Sequence, residues 1–166
     1  MAERASRQGS RRDESVADAT SALLVASRAL VGVAARSLAA TEATITLPQY
    51  RALVLLASRG DQNVSSLADA LGIHPSTTTR LCNRLAAKRL IKRATSSDSR
   101  REVTVTLSPA GQALLGSVTA RRRNELKRIV ARLDPEMRRA LVDSLASFAE
   151  AAGEIPDDAW KLGWTA

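Results

Sequence analysis

The sequence predicts a mainly α-helical fold carrying one small β-hairpin, and three observations lead there. Hydrophobic residues make up 45% of the 166 residues but aromatics only 2%, so the core must be Leu, Val, Ile and Ala, and Ala and Leu are the strongest helix formers. Capping residues stand beside prolines in Thr46-Leu47-Pro48, Ser108-Pro109 and Asp134-Pro135, and each of these combinations starts a helix. One segment, Glu102–Leu107, alternates strictly between apolar and polar residues, the period of a half-buried strand.

Residues 1–13 are polar and basic and read as a disordered arm, with no apolar segment of signal-peptide type. Residues 14–45 hold a long helix over Glu14–Ala40. Its Val16, Leu23, Leu30 and Ala34 lie close to heptad spacing, a seam that a partner helix must cover. Thr46 can cap the next helix while Gln49 reaches back to it and Pro48 fits the first turn. Leu53, Leu56 and Ala57 form the buried stripe of that helix, and Gly60 ends it.

Asn63 can cap a short helix over Val64–Leu71, with Leu67, Ala68 and Leu71 inward and Gly72 terminating it. Pro75 opens a further helix to about Arg89, with Leu81, Cys82 and Leu85 inward. Two short helices around a Gly-containing turn make a helix-turn-helix. The strand Glu102–Leu107 pairs with Ile91–Ala94, and the polar residues between them form a hairpin tip. Residues 46–108 thus read as a winged helix-turn-helix with a two-stranded β-wing.

Residues 109–152 carry two more helices, Pro109 to about Arg132 and one opened by Asp134-Pro135. The second has Met137, Leu141, Leu145 and Phe148 on one face. Residues 153–166 are a tail whose Trp160 and Trp164 are expected to pack onto a helix. A winged helix has no use for long flanking helices unless they bury apolar faces. The seam at Val16, Leu23 and Leu30 and the stripe at Met137, Leu141, Leu145 and Phe148 therefore predict a homodimer.

Charge points to the partner. The net charge is +8 and the pI about 10.9. From Arg80 to Glu102 eight cations face two acids, Asp98 and Glu102. A polyanion is the partner such a concentration suits. Ser76, Thr77, Arg80, Arg84 and Lys88 fall on one side of their helix, opposite Leu81 and Leu85. In a helix-turn-helix the first residues of the second helix meet base edges in the major groove, where Ser and Thr donate or accept and Arg binds guanine through two hydrogen bonds. Arg100 and Arg101 at the hairpin tip suit the narrow minor groove, and Asp98 is placed to pair with one of them. The bland alternatives are a solvated helix face and an ordinary polar turn. Their joint arrangement favours double-stranded DNA, with an architectural or protein-interaction winged helix as the rival.

Other chemistries find little support. No nucleophile–His pair, phosphate-cradling Gly loop or paired carboxylates argue for an enzyme. His74 is the only histidine and Cys82 the only cysteine, which excludes an intramolecular disulfide and leaves no metal set. No cofactor is expected. Cys82 reads as a small buried apolar residue, and His74 as a helix cap or a DNA contact. The Arg121-Arg122-Arg123 run stays open between a solvated face, a phosphate contact and an attractor of an anionic effector. No apolar run of membrane-span length is expected, which leaves the cytoplasm as the default compartment.

The order of these motifs resembles the multiple antibiotic resistance regulator (MarR) family of bacterial transcription factors. The matching residues are Leu47-Pro-Gln-Tyr-Arg-Ala-Leu, Val64-Ser-Ser-Leu-Ala-Asp-Ala-Leu-Gly, Ser76-Thr-Thr-Thr-Arg-Leu-Cys-Asn-Arg-Leu, Asp98-Ser-Arg-Arg and Thr106-Leu-Ser-Pro-Ala-Gly, within about 38–152. The resemblance implies an obligate homodimer whose first and last helices build the interface. It puts recognition-helix contacts on Ser76, Thr77, Thr79 and Arg80 and the wing arginine on Arg100. It also implies a regulator, expected to be a repressor, on a pseudo-palindromic operator, open to a small anionic or phenolic effector. Peroxide-sensing members carry a cysteine in the first helix, and this chain has none there.

Overall fold

The computed structural model describes residues 2–41, 43–95 and 103–155. They form six helices and three strands: α1 (Ala2–Ala39), α2 (Leu47–Arg59), β1 (Gln62–Asn63), α3 (Val64–Leu71), α4 (Pro75–Ala87), β2 (Ile91–Thr95), β3 (Val103–Leu107), α5 (Pro109–Val130) and α6 (Pro135–Ala151). The chain divides into two compact units, Met1–Arg36 and Ser37–Ala166.

The first unit is nearly all of α1. Helix runs back to Ala2, through residues expected to be a disordered arm. Residues 2–15 contain no proline and no β-branched side chain, and Ala, Glu, Gln and Arg dominate them, so local propensity favours the helix. Val16, Leu23 and Leu30 are exposed, and so are Leu24, Val25 and Val31. The segment Ser15–Ala39 is, by length and composition alone, apolar enough to cross a membrane, against the expectation that no run reaches that length. Alanines spread among leucines and valines raise its average without making an unbroken run. The same composition suits a helix that buries its side against another helix.

In the second unit each helix start follows from local chemistry. Thr46 and Gln49 form a capping box, with the Gln49 amide donating to Thr46 Oγ1 (3.4 Å) and the Thr46 amide to Gln49 Oε1 (3.0 Å). Asn63 Oδ1 accepts from the Ser66 amide at 2.7 Å, Ser108 Oγ from Gly111 at 3.0 Å, and Asp134 Oδ1 from Met137 at 2.8 Å. Gly72 closes α3 in the left-handed conformation (φ 65°). Leu53, Leu56, Leu67, Leu85, Val105, Leu115 and Val118 form the fully buried centre of the core. Leu71 is half-buried at its margin.

The sheet has three antiparallel strands in the order β1-β3-β2, one more than the expected two-stranded wing. Gln62 pairs with Val105 and Asn63 with Thr104, while β2 pairs with β3 from Ile91↔Leu107 to Thr95↔Val103. The extra strand makes β3 central, with Val105 fully buried and its neighbours half-buried. The hairpin is thereby anchored to the start of α3.

The end of α4 is shaped by Arg89, the one non-glycine residue with positive φ (57°) among the described residues. That conformation costs an L-residue roughly 1–2 kcal/mol. Three hydrogen bonds hold it: the Arg89 amide to Ala86 O (2.8 Å), the Leu90 amide to Leu85 O (3.0 Å), and Ser108 Oγ to Arg89 O (2.7 Å). The last of them joins the turn after α4 to the start of α5.

Candidate nucleic-acid interface

The outward face of α4 begins at its cap. The Ser76 amide donates to His74 Nδ1 at 3.3 Å, and Ser76 Oγ lies 2.9 Å from the same nitrogen. His74 is thus the cap of α4, one of its two sequence readings. Pro75 sits in the first turn, where the missing amide costs nothing.

Ser76, Thr77, Arg80 and Arg84 are exposed on one side of the helix, while Thr78, Leu81, Cys82 and Leu85 are buried on the other. Thr79 lies at the edge, half-buried, with Oγ1 donating to Pro75 O at 3.0 Å. Its hydroxyl hydrogen is already used, so an acceptor lone pair and the methyl group are the parts left to offer a neighbour. Among the described residues no hydrogen bond or ion pair restrains the Arg80 guanidinium.

Lys88 departs from the expected reading face. The helix stops at Ala87, about two residues short of the expected end near Arg89, and Lys88 is its C-cap. Its ammonium donates to the Thr44 carbonyl, tying the end of α4 to the segment before α2. Asp98, Arg100 and Arg101 lie outside the described residues, as do Trp160 and Trp164.

Two residues not assigned a role from sequence border the same face. Asn83 is exposed, two turns after Ser76 and on the same side of α4 as Arg80. Arg93 of β2 donates from Nη1 to Asn83 Oδ1. A contact ten residues apart, across the corner between α4 and β2, leaves no periodic trace in sequence. The cluster of cations between Arg80 and Arg93 is the one signal that could have drawn attention to it.

Cys82 is fully buried, and burial pushes its thiol pKa up, partly offset by the Arg93 charge. A redox sensor needs an exposed thiolate, so this thiol serves packing. Among the described residues no cluster of His, Cys, Asp and Glu could hold a metal ion.

A second feature of this unit is a cleft of about 1390 Å³ between α2, α5 and the end of α6. Tyr50 OH lies 3.4 Å from Thr119 Oγ1 and accepts from Arg122 Nη1 at 3.3 Å. The Arg122 guanidinium stands 5.9 Å from the Tyr50 ring centroid, and its Nε is buried without a hydrogen-bond partner among the described residues. Arg51 makes a bidentate pair with Glu154 at the same cleft. The Arg121–Arg123 run thus divides, with Arg122 on Tyr50 and its two neighbours exposed.

Comparison with known proteins follows the same outline. The MarR family model matches residues 45–103. The crystal structure of RV1404 from Mycobacterium tuberculosis superposes with a TM-score of 0.79 at 42% identity, covering 85% of this chain and 96% of that one. The HTH-type transcriptional regulator YfiV of Bacillus subtilis is 31% identical over 107 residues, 64% of this chain and 67% of its own. The chain belongs to the MarR family. It is a MarR-family transcriptional regulator with the DNA-binding winged helix-turn-helix of that family. Among MarR-like folds, NadR solved in complex with 4-hydroxyphenylacetate has a TM-score of 0.59 at 28% identity, covering 78% of this chain and 90% of NadR.

Proposed function

We propose that this MarR-family chain is a homodimeric repressor that reads a pseudo-palindromic operator with α4 in the major groove and the wing tip in the minor groove. The observation that carries the reading is the exposed polar face of α4, where Ser76, Thr77, Arg80 and Arg84 stand together above a buried back of Thr78, Leu81, Cys82 and Leu85. Small hydroxyl groups at the helix start allow close approach to base edges, and the arginines behind them reach guanine or phosphate. Asp98, Arg100 and Arg101 are assigned to the minor groove.

Dimerisation is supported by apolar surface left open. No residue of α6 is buried, and Met137, Val142, Leu145 and Phe148 are each about half exposed or more, with Leu141 half-buried among them. A second copy of the chain, bringing the seam at Val16, Leu23 and Leu30, is the natural cover. Two-fold symmetry would set the two α4 helices about one DNA turn, ~34 Å, apart. Binding there would block polymerase access to a promoter, acting in the cytoplasm.

The cleft supports control by a small molecule. Tyr50 and Arg122 offer a phenol and a guanidinium whose Nε is unpaired among the described residues, beside the Arg51–Glu154 pair, a set suited to an anionic or phenolic ligand. NadR binds a ligand of that chemistry. Occupancy would change the spacing of the recognition helices and lower operator affinity.

Sedimentation with selection from random duplex DNA tests the reading. A dimer at micromolar concentration that recovers an inverted repeat supports it. A monomer, or binding that falls steeply with salt but recovers no sequence, points instead to an architectural module and overturns it.

A further inference from the structure

Arg93 orients the side-chain amide of Asn83. A guanidinium has five N–H donors and no acceptor, so its contact with Asn83 must involve the amide oxygen. This fixes the orientation of the Asn83 amide, which is otherwise free to flip. Oδ1 faces β2 and Arg93, and the Nδ2 amino group is left to point away from them.

The position matters because Asn83 is exposed and shares the Ser76–Arg80 side of α4. A free asparagine favours adenine, donating to N7 and accepting from N6 at once. With Oδ1 turned toward Arg93, its second lone pair is not presented to the groove and the Nδ2 donors are what a base edge meets. Guanine O6 and N7 both accept from such a group and thymine O4 accepts once, whereas adenine accepts at N7 but sets its own N6 amino donor against it.

We infer that Asn83 is a specificity-determining residue used as a pure donor, and that Arg93 is the positioning residue that makes it so. The pair selects guanine or thymine over adenine at one position in each half-site. Arg93 acts through Asn83 rather than as one more phosphate contact. The inference rests on the reading that α4 enters the major groove.

Its test is base selection repeated with Asn83→Ala, Arg93→Ala and Arg93→Lys, each at two salt concentrations. The wild-type protein should prefer guanine or thymine at one pair per half-site. Asn83→Ala should flatten that preference and leave the other positions intact. Arg93→Ala should shift the same position to admit adenine, by roughly tenfold in relative affinity, because the freed amide can then bond in both directions. Arg93→Lys, which retains a donor to Oδ1, should restore the wild-type preference.

Three results would overturn the inference: unchanged preference at every position in Asn83→Ala, a wild-type preference for adenine at the affected pair, or an Arg93→Ala variant with uniformly weaker binding and a shallower salt slope. The last would make Arg93 a phosphate contact. A wild-type protein that recovers no preferred sequence would instead remove the operator-reading proposal beneath it, so the two failures are distinguishable.

Discussion

Replacing Arg80 by alanine should weaken operator binding by roughly 1–3 kcal/mol and relax base preference at one position in each half-site. The reason is geometric. Arg80 stands one turn after Ser76, on the exposed side of α4, and in the proposed complex its long side chain would reach the groove floor beside the shorter Ser76 and Thr77. Among the described residues it has no intramolecular partner to give up on binding. Both its guanidinium and its charge are available to DNA. The loss should therefore have two separable components. One is specific to the base pair that Arg80 contacts. The other is a reduction of the salt slope by about one counterion, if the guanidinium also touches phosphate. Electrophoretic titration on the selected operator and on point-substituted operators would separate them. Equal affinity of variant and wild type on every duplex would remove Arg80 from the interface. Lys88→Ala should behave differently, with little change in base preference, because its ammonium holds the Thr44 carbonyl.

Gly111→Ala should be among the most damaging single-methyl additions in the fold. A Cβ at Gly111 would lie 2.2 Å from the Leu90 carbonyl oxygen and 2.8 Å from Leu107 Cδ1. The first of these is backbone, and it is already engaged as the acceptor of the Ser108 amide at 3.1 Å. Relieving the clash would mean moving the start of α5 away from the turn after α4, against the bond from Ser108 Oγ to Arg89 O. Overpacking of this kind costs roughly 3 kcal/mol. Gly116→Ala is the control. It lies on the same helix with no atom within 4 Å of the added Cβ. There alanine should stabilise by about 0.5–1 kcal/mol through helix propensity. Urea unfolding at one fixed protein concentration would compare them, the concentration being held because dimerisation shifts apparent stability. Similar midpoints for the two variants would show that the Leu90–Gly111 contact is not tight.

These two sites also mark what could be read in advance. The helix starts were legible because capping is local chemistry. Thr46, Asn63, Ser108 and Asp134 each accept from an amide three residues on, within one turn of the chain. The face of α4 was legible because it follows from helical period alone. What escaped depends on where elements stop and meet. Lys88 fell out of line because the helix ends at Ala87, and helical periodicity carries no information about its own last turn. Strand β1 is two residues long, too short for any alternation to register. The Asn83–Arg93 contact and the approach of Gly111 to Leu90 each join residues on different elements, and only packing brings them together. The pairing of Arg122 with Tyr50 spans 72 residues and is of the same kind. Helix α1 extended further than composition suggested because charge argued for a loose arm while propensity favoured helix.

Two copies of α4 reading two major grooves one turn apart would leave a symmetric footprint on the selected operator. Guanine-N7 methylation interference should show two symmetric clusters of interfering guanines, centred about 10 base pairs apart, with Arg80→Ala erasing one guanine from each cluster. A single cluster, or interference spread evenly along the duplex, would contradict it.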